Sequence, residues 1–211
     1  MTFSEQAPSR ELQTPTGEVT DIVRSGRDNG GADLRQVRTH DHAVLVRAIQ
    51  TWWGDSRTPQ EAVQLSLLLP RLFVEFFRET SFVMERGDVL AGFLIGLHPT
   101  SDPEEAYVHF VGVNPNLRRA GVAHRLYTTF FERALAAGRH HIRAVTSPAN
   151  SGSISFHRAM GFELEPSDYE IDGVPVHRDY DGPGQDRVCM RLTLRVPDSG
   201  PSGLTRGAPP G

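Results

Sequence analysis

The chain has 211 residues, 38% hydrophobic and 23% charged, with a formal net charge of -4, which suits one ordinary domain able to bury a core without metal or disulfide staples. Lys and Arg are scattered rather than clustered, which argues against a polyanionic main partner and hence against nucleic acid. The single cysteine, Cys189, excludes an internal disulfide framework, offers no metal-ligand set, and points to a reducing compartment with the cytoplasm as default.

Residues 1–31 are rich in Ser, Thr, Gly, Pro and charge and lack apolar periodicity, which predicts a disordered N-terminal segment. Their first ten residues are polar rather than basic-then-apolar, and no apolar run approaches the roughly 18 residues of a membrane span, so neither export nor membrane insertion is expected. The composition returns in residues 197–211, PDSGPSGLTRGAPPG, predicting a disordered tail. A single folded domain over residues 32–196 is left.

Within it, a strand from Leu34 to Arg38 leads to a helix that opens near Asp41 and closes at Trp52-Trp53-Gly54. A second helix, Pro59 to Thr80, carries Leu65, Leu68, Leu69, Leu72, Phe73, Phe76 and Phe77 at helical spacing. Pro70 should kink or divide it, because proline lacks an N–H and clashes with the preceding turn. Ser81–Glu85 and Val89–Leu97 flank Arg86-Gly87-Asp88 as a hairpin, and Ala106–Val113 follows as a third strand. From Val122, apolar pairs every four residues predict a helix packed along one stripe, with Gly138 as its stop. A strand from Ile142 to Thr146, a short helix from Ser151 to Met160 and late strands around Phe162 and Val188–Leu194 complete the domain. No period repeats.

The segment Val113-Asn-Pro-Asn-Leu-Arg-Arg-Ala-Gly-Val-Ala123 sits between a strand and that long helix. Unpaired N–H groups and a partial positive charge at a helix N-terminus suit a diphosphate wrapped by main-chain donors. Gly121 and Ala123 allow close approach, and Arg118 and Arg119 add charge. The spacing is neither GxGxxG nor a P-loop.

Arg118-x-x-Gly121-x-Ala123 resembles the Arg/Gln-x-x-Gly-x-Gly/Ala signature of the GNAT superfamily of N-acetyltransferases. A second motif, Asn150, Ser153, His157, Gly161 and Phe162, resembles that family's Asn-x-x-Ala-x-x-x-Tyr-x-x-x-Gly-Phe. The element order agrees from Leu34 to Leu194. The resemblance implies an α/β (α+β) GNAT fold: a mostly antiparallel twisted sheet, splayed between its fourth and fifth strands and flanked by helices. It implies acetyl-CoA as co-substrate, its diphosphate at Arg118, Arg119, Ala120, Gly121, Val122 and Ala123. The pantetheine arm would lie between strands 106–113 and 142–147, with main-chain contacts at Val111, Gly112 and Val113 and further contacts at Asn150, Ser153 and Phe156. Splayed strands leave amide groups that such an arm can pair with, and an N–H there can polarise the thioester carbonyl.

Two proton transfers need owners. A lysine-like amine, with a pKa of about 10.4, must lose a proton before it attacks. His109 is the candidate base: it lies on the thioester-presenting strand, and His-x-x-x-Val before the loop resembles the arylalkylamine N-acetyltransferases. The companion histidine of those enzymes is Tyr107 here, and the competing reading is a partly buried histidine bonded to a neighbour. Glu104 and Glu105 are runners-up. For the leaving thiolate, the family's tyrosine slot holds His157, read either as general acid or as a positioning residue. Asn150 either reaches the pantetheine or caps its helix.

The aromatic residues Trp52, Trp53, Phe73, Phe76 and Phe77 are core or acceptor-pocket lining. The acidic loop Ser167–Asp186 is a lid or a solvated connection, without an EF-hand register. Cys189 is expected to be structural. The expected acceptor is a small-molecule, peptide or protein amine, and edge strands near the C-terminus allow a homodimer. The rival to an enzyme is a CoA-binding sensor or interaction module of the same fold.

Overall fold

The computed structural model describes residues 32–53 and 57–195. The expected disordered segments 1–31 and 197–211, and the helix stop at Gly54, lie outside the described residues. Among the described residues no helix is long and apolar enough to cross a membrane.

Strand β1 (Ala32–Gln36) is followed by helix α1 (His42–Trp52), then α2 (Pro59–Ser66) and α3 (Arg71–Phe76). Asp41, at the start of α1, is 7% exposed. It is held by Arg35, whose Nη1 and Nη2 donate to its carboxylate at 2.7 and 3.0 Å. The guanidinium and the Arg38 N–H keep the Asp41 carboxyl below its ordinary range against the opposing effect of burial. Thr58 caps α2 in a reciprocal pair with Glu61.

The helix expected over 59–80 is two helices and a 3-10 turn, because Pro70 takes an extended conformation between α2 and α3. Division rotates the apolar stripe. Leu69 and Val74 reach the core, whereas Leu67, Leu68, Leu72 and Phe76 stay exposed.

Strands β2 (Phe82–Arg86), β3 (Val89–Leu97) and β4 (Glu105–Val113) run antiparallel, and β5 (His141–Thr146) lies parallel to β4 after helix α4 (Val122–Ala136). Helix α5 (Ser151–Ala159) precedes β6 (Glu163–Leu164), and β9 (Val188–Thr193) inserts between β5 and β6. The sheet order is β1-β2-β3-β4-β5-β9-β6. The long C-terminal strand is therefore interior, and the edge on that side is only two residues long. Within the acidic loop, β7 (Glu170–Ile171) and β8 (Val174–Pro175) form a small separate hairpin absent from the sequence reading.

Two hydrophobic clusters cover the two faces of the sheet. One gathers Val122, Leu126, Phe130 and Phe131 of α4 over Ala106, Val108, Ile142 and Met190. The other gathers Leu45 and Ile49 of α1 and Val74 of α3 over Val83, Phe93, Ile95 and Phe110. Close approach of α4 requires glycine at position 92, where a Cβ would lie 2.6 Å from Val122 Cγ1 and 2.9 Å from the Gly112 oxygen.

Candidate active site

The pairing of β4 stops short on one side. Its register with β5 runs from Glu105↔His141 to Val108↔Ala144. From His109 to Val113 that edge of β4 has no strand partner among the described residues, so main-chain donors and acceptors are left for a ligand. On the other side, Ile95 pairs with Phe110 and Gly96 with Val108, which leaves His109 as the extra residue of a bulge. The bulge changes the facing of the strand. Val108 belongs to the α4 cluster and Phe110 to the α1 cluster, while Val111 and Val113 pack back toward α4. Splay and bulge thus begin at the same residue.

The open edge points into the loop expected to hold a diphosphate. Asn114 ties the loop to β3: its N–H donates to Ala91 O at 2.9 Å and its Nδ2 to Leu90 O at 3.2 Å. A 3-10 turn over Pro115–Leu117 follows, then Arg118, Arg119, Ala120 and Gly121, all exposed. Arg119 (φ 64°) and Gly121 (φ 76°) are left-handed, which turns the chain sharply into α4. Gly121 brings no side-chain cap, so the N–H groups of the first turn remain available. Val122 anchors that turn in the core at 3% exposure, and Arg118 reaches Trp52 O at 3.4 Å.

His109 lies beside α2 and α3. Its Nε2 donates to the Leu68 carbonyl at 2.6 Å, and its ring stacks on Phe73 at 4.0 Å between centroids, 9° from parallel. A carbonyl only accepts, so Nε2 carries the hydrogen and Nδ1 holds the lone pair. Burial lowers the His109 pKa from its ordinary 6.5, opposed by the bond to Leu68. The imidazole is therefore neutral near physiological pH and able to accept a proton at Nδ1. Tyr107, at the position of the expected companion, lies 6.4 Å away ring to ring.

His157 is placed differently. It is 4% exposed, its Nδ1 donates to Ser153 O at 2.8 Å, and its Nε2 accepts from the Tyr127 hydroxyl at 2.7 Å. Phe156 and Phe162 close around it edge-on. Burial lowers its pKa as well, opposed by the Ser153 bond. With both nitrogens engaged, no N–H is left to hand to a departing thiolate in this arrangement. Asn150 caps α5, accepting from Ser153 N at 3.2 Å, so Asn150, Ser153 and His157 form one connected line along the helix. The second motif thus fixes the first turn of α5 to its buried face.

Several functional neighbours escaped the sequence reading. Leu68 contributes only a main-chain oxygen. Tyr127 sits in the apolar stripe of α4, where a buried hydroxyl demands a partner, and that demand was the available signal. Near the C-terminus, Glu165, His177 and Cys189 bring ligand-type atoms within 4.8 Å of one another. The sequence predicts no metal-ligand set around the lone cysteine, and these three residues are too far apart in sequence to make a motif. Two surface hollows lie away from the open edge of β4: about 610 Å³ around Arg35, Arg38 and Arg78, and about 510 Å³ beside Arg143, Glu165 and Arg191.

A mixed sheet opened at a bulge beside a glycine-led helix N-terminus is the architecture of an acyl-CoA-using transferase fold. A model of the Acetyltransferase (GNAT) family matches residues 46–162, and the chain belongs to that family. It is 29% identical over 94 residues to the L-2,4-diaminobutyric acid acetyltransferase of Marinococcus halophilus, covering 44% of this chain and 55% of that one. The chain thus spans little more than half of that relative. Among solved structures it is similar to a putative GNAT acetyltransferase from Desulfovibrio desulfuricans, with a TM-score of 0.61 and 17% identity over 78% of this chain and all of that one. It also resembles the diaminobutyrate acetyltransferase EctA of Paenibacillus lautus in complex with L-2,4-diaminobutyric acid and coenzyme A, with a TM-score of 0.53 and 18% identity over 77% of this chain and 95% of that one. At these identities the two structures speak for the fold.

Proposed function

We propose that the protein is an N-acetyltransferase that moves the acetyl group of acetyl-CoA directly to a primary amine of a small amino-acid-like acceptor. The carrying observation is the coincidence of the open β4 edge, from His109 to Val113, with the uncapped N-terminus of α4. The diphosphate would take the main-chain donors of Arg119 to Ala123 with Arg118 alongside, and the pantetheine amides would pair with Val111, Gly112 and Val113. Asn150, Ser153 and Phe156 would border the arm from α5. A β4 N–H would hold the developing oxyanion.

His109 would take the amine proton at Nδ1, either directly or through one water. Attack of the nitrogen on the thioester carbon, collapse of the tetrahedral intermediate and loss of the thiolate complete the transfer. His157 is assigned a positioning role in place of the acid role expected from sequence, because both its nitrogens are bound and it holds α5 against Tyr127. L-2,4-diaminobutyrate is the first acceptor to test, on the strength of the relative from Marinococcus halophilus.

Release of free thiol from acetyl-CoA, followed across a panel of diamines, amino acids and peptide N-termini, tests the reading. Turnover that requires an amine and is fastest with a small diamino acid supports it. Tight coenzyme A binding with no amine-dependent turnover would leave a binding module instead.

A further inference from the structure

The acidic loop meets β9 at residues to which the proposed transfer assigns no role. Glu165 follows β6 and donates its N–H to Cys189 O at 2.9 Å. His177 follows β8 and pairs with Arg187 through main-chain bonds of 2.8 and 3.0 Å. Cys189 lies on β9 opposite Val145, 1% exposed. Three backbones fixed by main-chain hydrogen bonds therefore aim a carboxylate, an imidazole and a thiol at one point, with ligand-type atoms all within 4.8 Å. The His177 Nε2 atom is buried and has no hydrogen-bond partner among the described residues. A buried ring nitrogen left unpaired costs free energy unless something occupies its lone pair.

We infer that Glu165, His177 and Cys189 form a binding site for a zinc-like divalent transition ion, which would clamp the acidic loop onto β9. One thiolate, one imidazole and one carboxylate make a borderline-soft donor set, suited to zinc or cobalt(II) and poor for magnesium or calcium. Three protein ligands leave a fourth position for water. A tetrahedral ion with bonds of roughly 2.0–2.3 Å sets its donors roughly 3.5 Å apart, so closing the site takes about 1 Å of side-chain movement. Arg143 already holds both oxygens of Glu165, at 2.9 Å each. Each oxygen keeps a second lone pair, so the carboxylate can bind an ion while Arg143 fixes its orientation, as outer partners of metal ligands do.

The test uses the full chain without an affinity tag, stripped of metal and titrated with cobalt(II) alone. A 1:1 rise of a thiolate-to-cobalt charge-transfer band with visible bands of tetrahedral intensity, reversed by zinc, is the expected result. Cys189→Ser should abolish the charge-transfer band, and His177→Gln should weaken cobalt binding more than about tenfold. Circular dichroism and a cooperative urea transition establish that each variant folds. The inference is overturned if a folded wild-type chain shows no thiolate band, if the band survives Cys189→Ser, or if His177→Gln binds cobalt unchanged. None of these readouts depends on acetyl transfer.

Discussion

The Leu68 carbonyl oxygen accepts a hydrogen bond from His109 Nε2 at 2.6 Å, and this contact decides which nitrogen can act as a base. With the hydrogen committed to Nε2, Nδ1 is left as the acceptor. Because burial lowers the His109 pKa below 6.5, the neutral form predominates at neutral pH. The kcat/KM profile should therefore rise with pH along an acid limb lying below 6.5 and level off near neutrality. His109→Gln should remove that limb and lower kcat by roughly 10²-fold or more. A profile unchanged in the variant would take the base role from His109.

Phe73 covers one face of that imidazole, stacked on it at 4.0 Å between centroids. Phe73→Ala should admit water, raise the His109 pKa toward its ordinary value and move the acid limb to higher pH. The measurement is the same profile. A limb that stays in place would mean that desolvation comes from other neighbours.

Much of this site could be read from sequence, and the unread parts share a cause. Arg118, Gly121 and Ala123 announce the loop because backbone geometry at a helix start restricts residue type locally. The position of His109 on β4 was legible, but the bulge that turns it toward Phe73 was not, since it depends on pairing with β3. His157 could be found but not assigned, because its meaning rests on Tyr127, thirty residues away. Pro70 forecast the division of the second helix, yet not which of Leu68, Leu69 and Leu72 would reach the core. Glu165, His177 and Cys189 meet only through tertiary folding.

The Tyr127 and His157 pair separates positioning from proton delivery. Tyr127→Phe removes the donor to a buried Nε2 and should cost about 1–3 kcal/mol by denaturant unfolding. His157→Gln should destabilise similarly, and in either variant kcat should fall less than about tenfold, as general acid chemistry is worth about 10²-fold or more. A large loss of kcat in His157→Gln, with Tyr127→Phe spared, would restore the acid role.

Gly121 and Gly92 fix α4 by different means. At Gly121 an added Cβ would touch nothing within 4 Å, but φ of 76° disfavours any side chain. Gly121→Ala should cost about 1–2 kcal/mol and raise KM for acetyl-CoA more than KM for the amine. At Gly92 the added carbon would strike Val122 and the Gly112 oxygen, pushing the first turn of α4 off the sheet. Gly92→Ala should lose stability and raise KM for acetyl-CoA together. Equal effects on both substrates would dissociate the loop from cofactor binding.

Acid sensitivity follows from three histidines that hold protons poorly in the folded chain. Burial is the first cause at His98, His109 and His157, and at His98, with Arg139 and Arg133 adding repulsion, the pKa falls to about 4. Between these lowered values and the ordinary 6.5, an unfolded chain binds protons that the folded chain refuses. Stability therefore rises with pH across that window and is lost as pH falls through it, while near or above about pH 7.5 these groups add no slope. The urea midpoint should decline steadily from about pH 7 to pH 5, before most carboxylates protonate. The His98 Nε2 is buried with no hydrogen-bond partner among the described residues, so His98→Leu should flatten the decline without removing a bond from that atom. A midpoint constant over the window in the wild-type chain would mean that these rings titrate as they do in water.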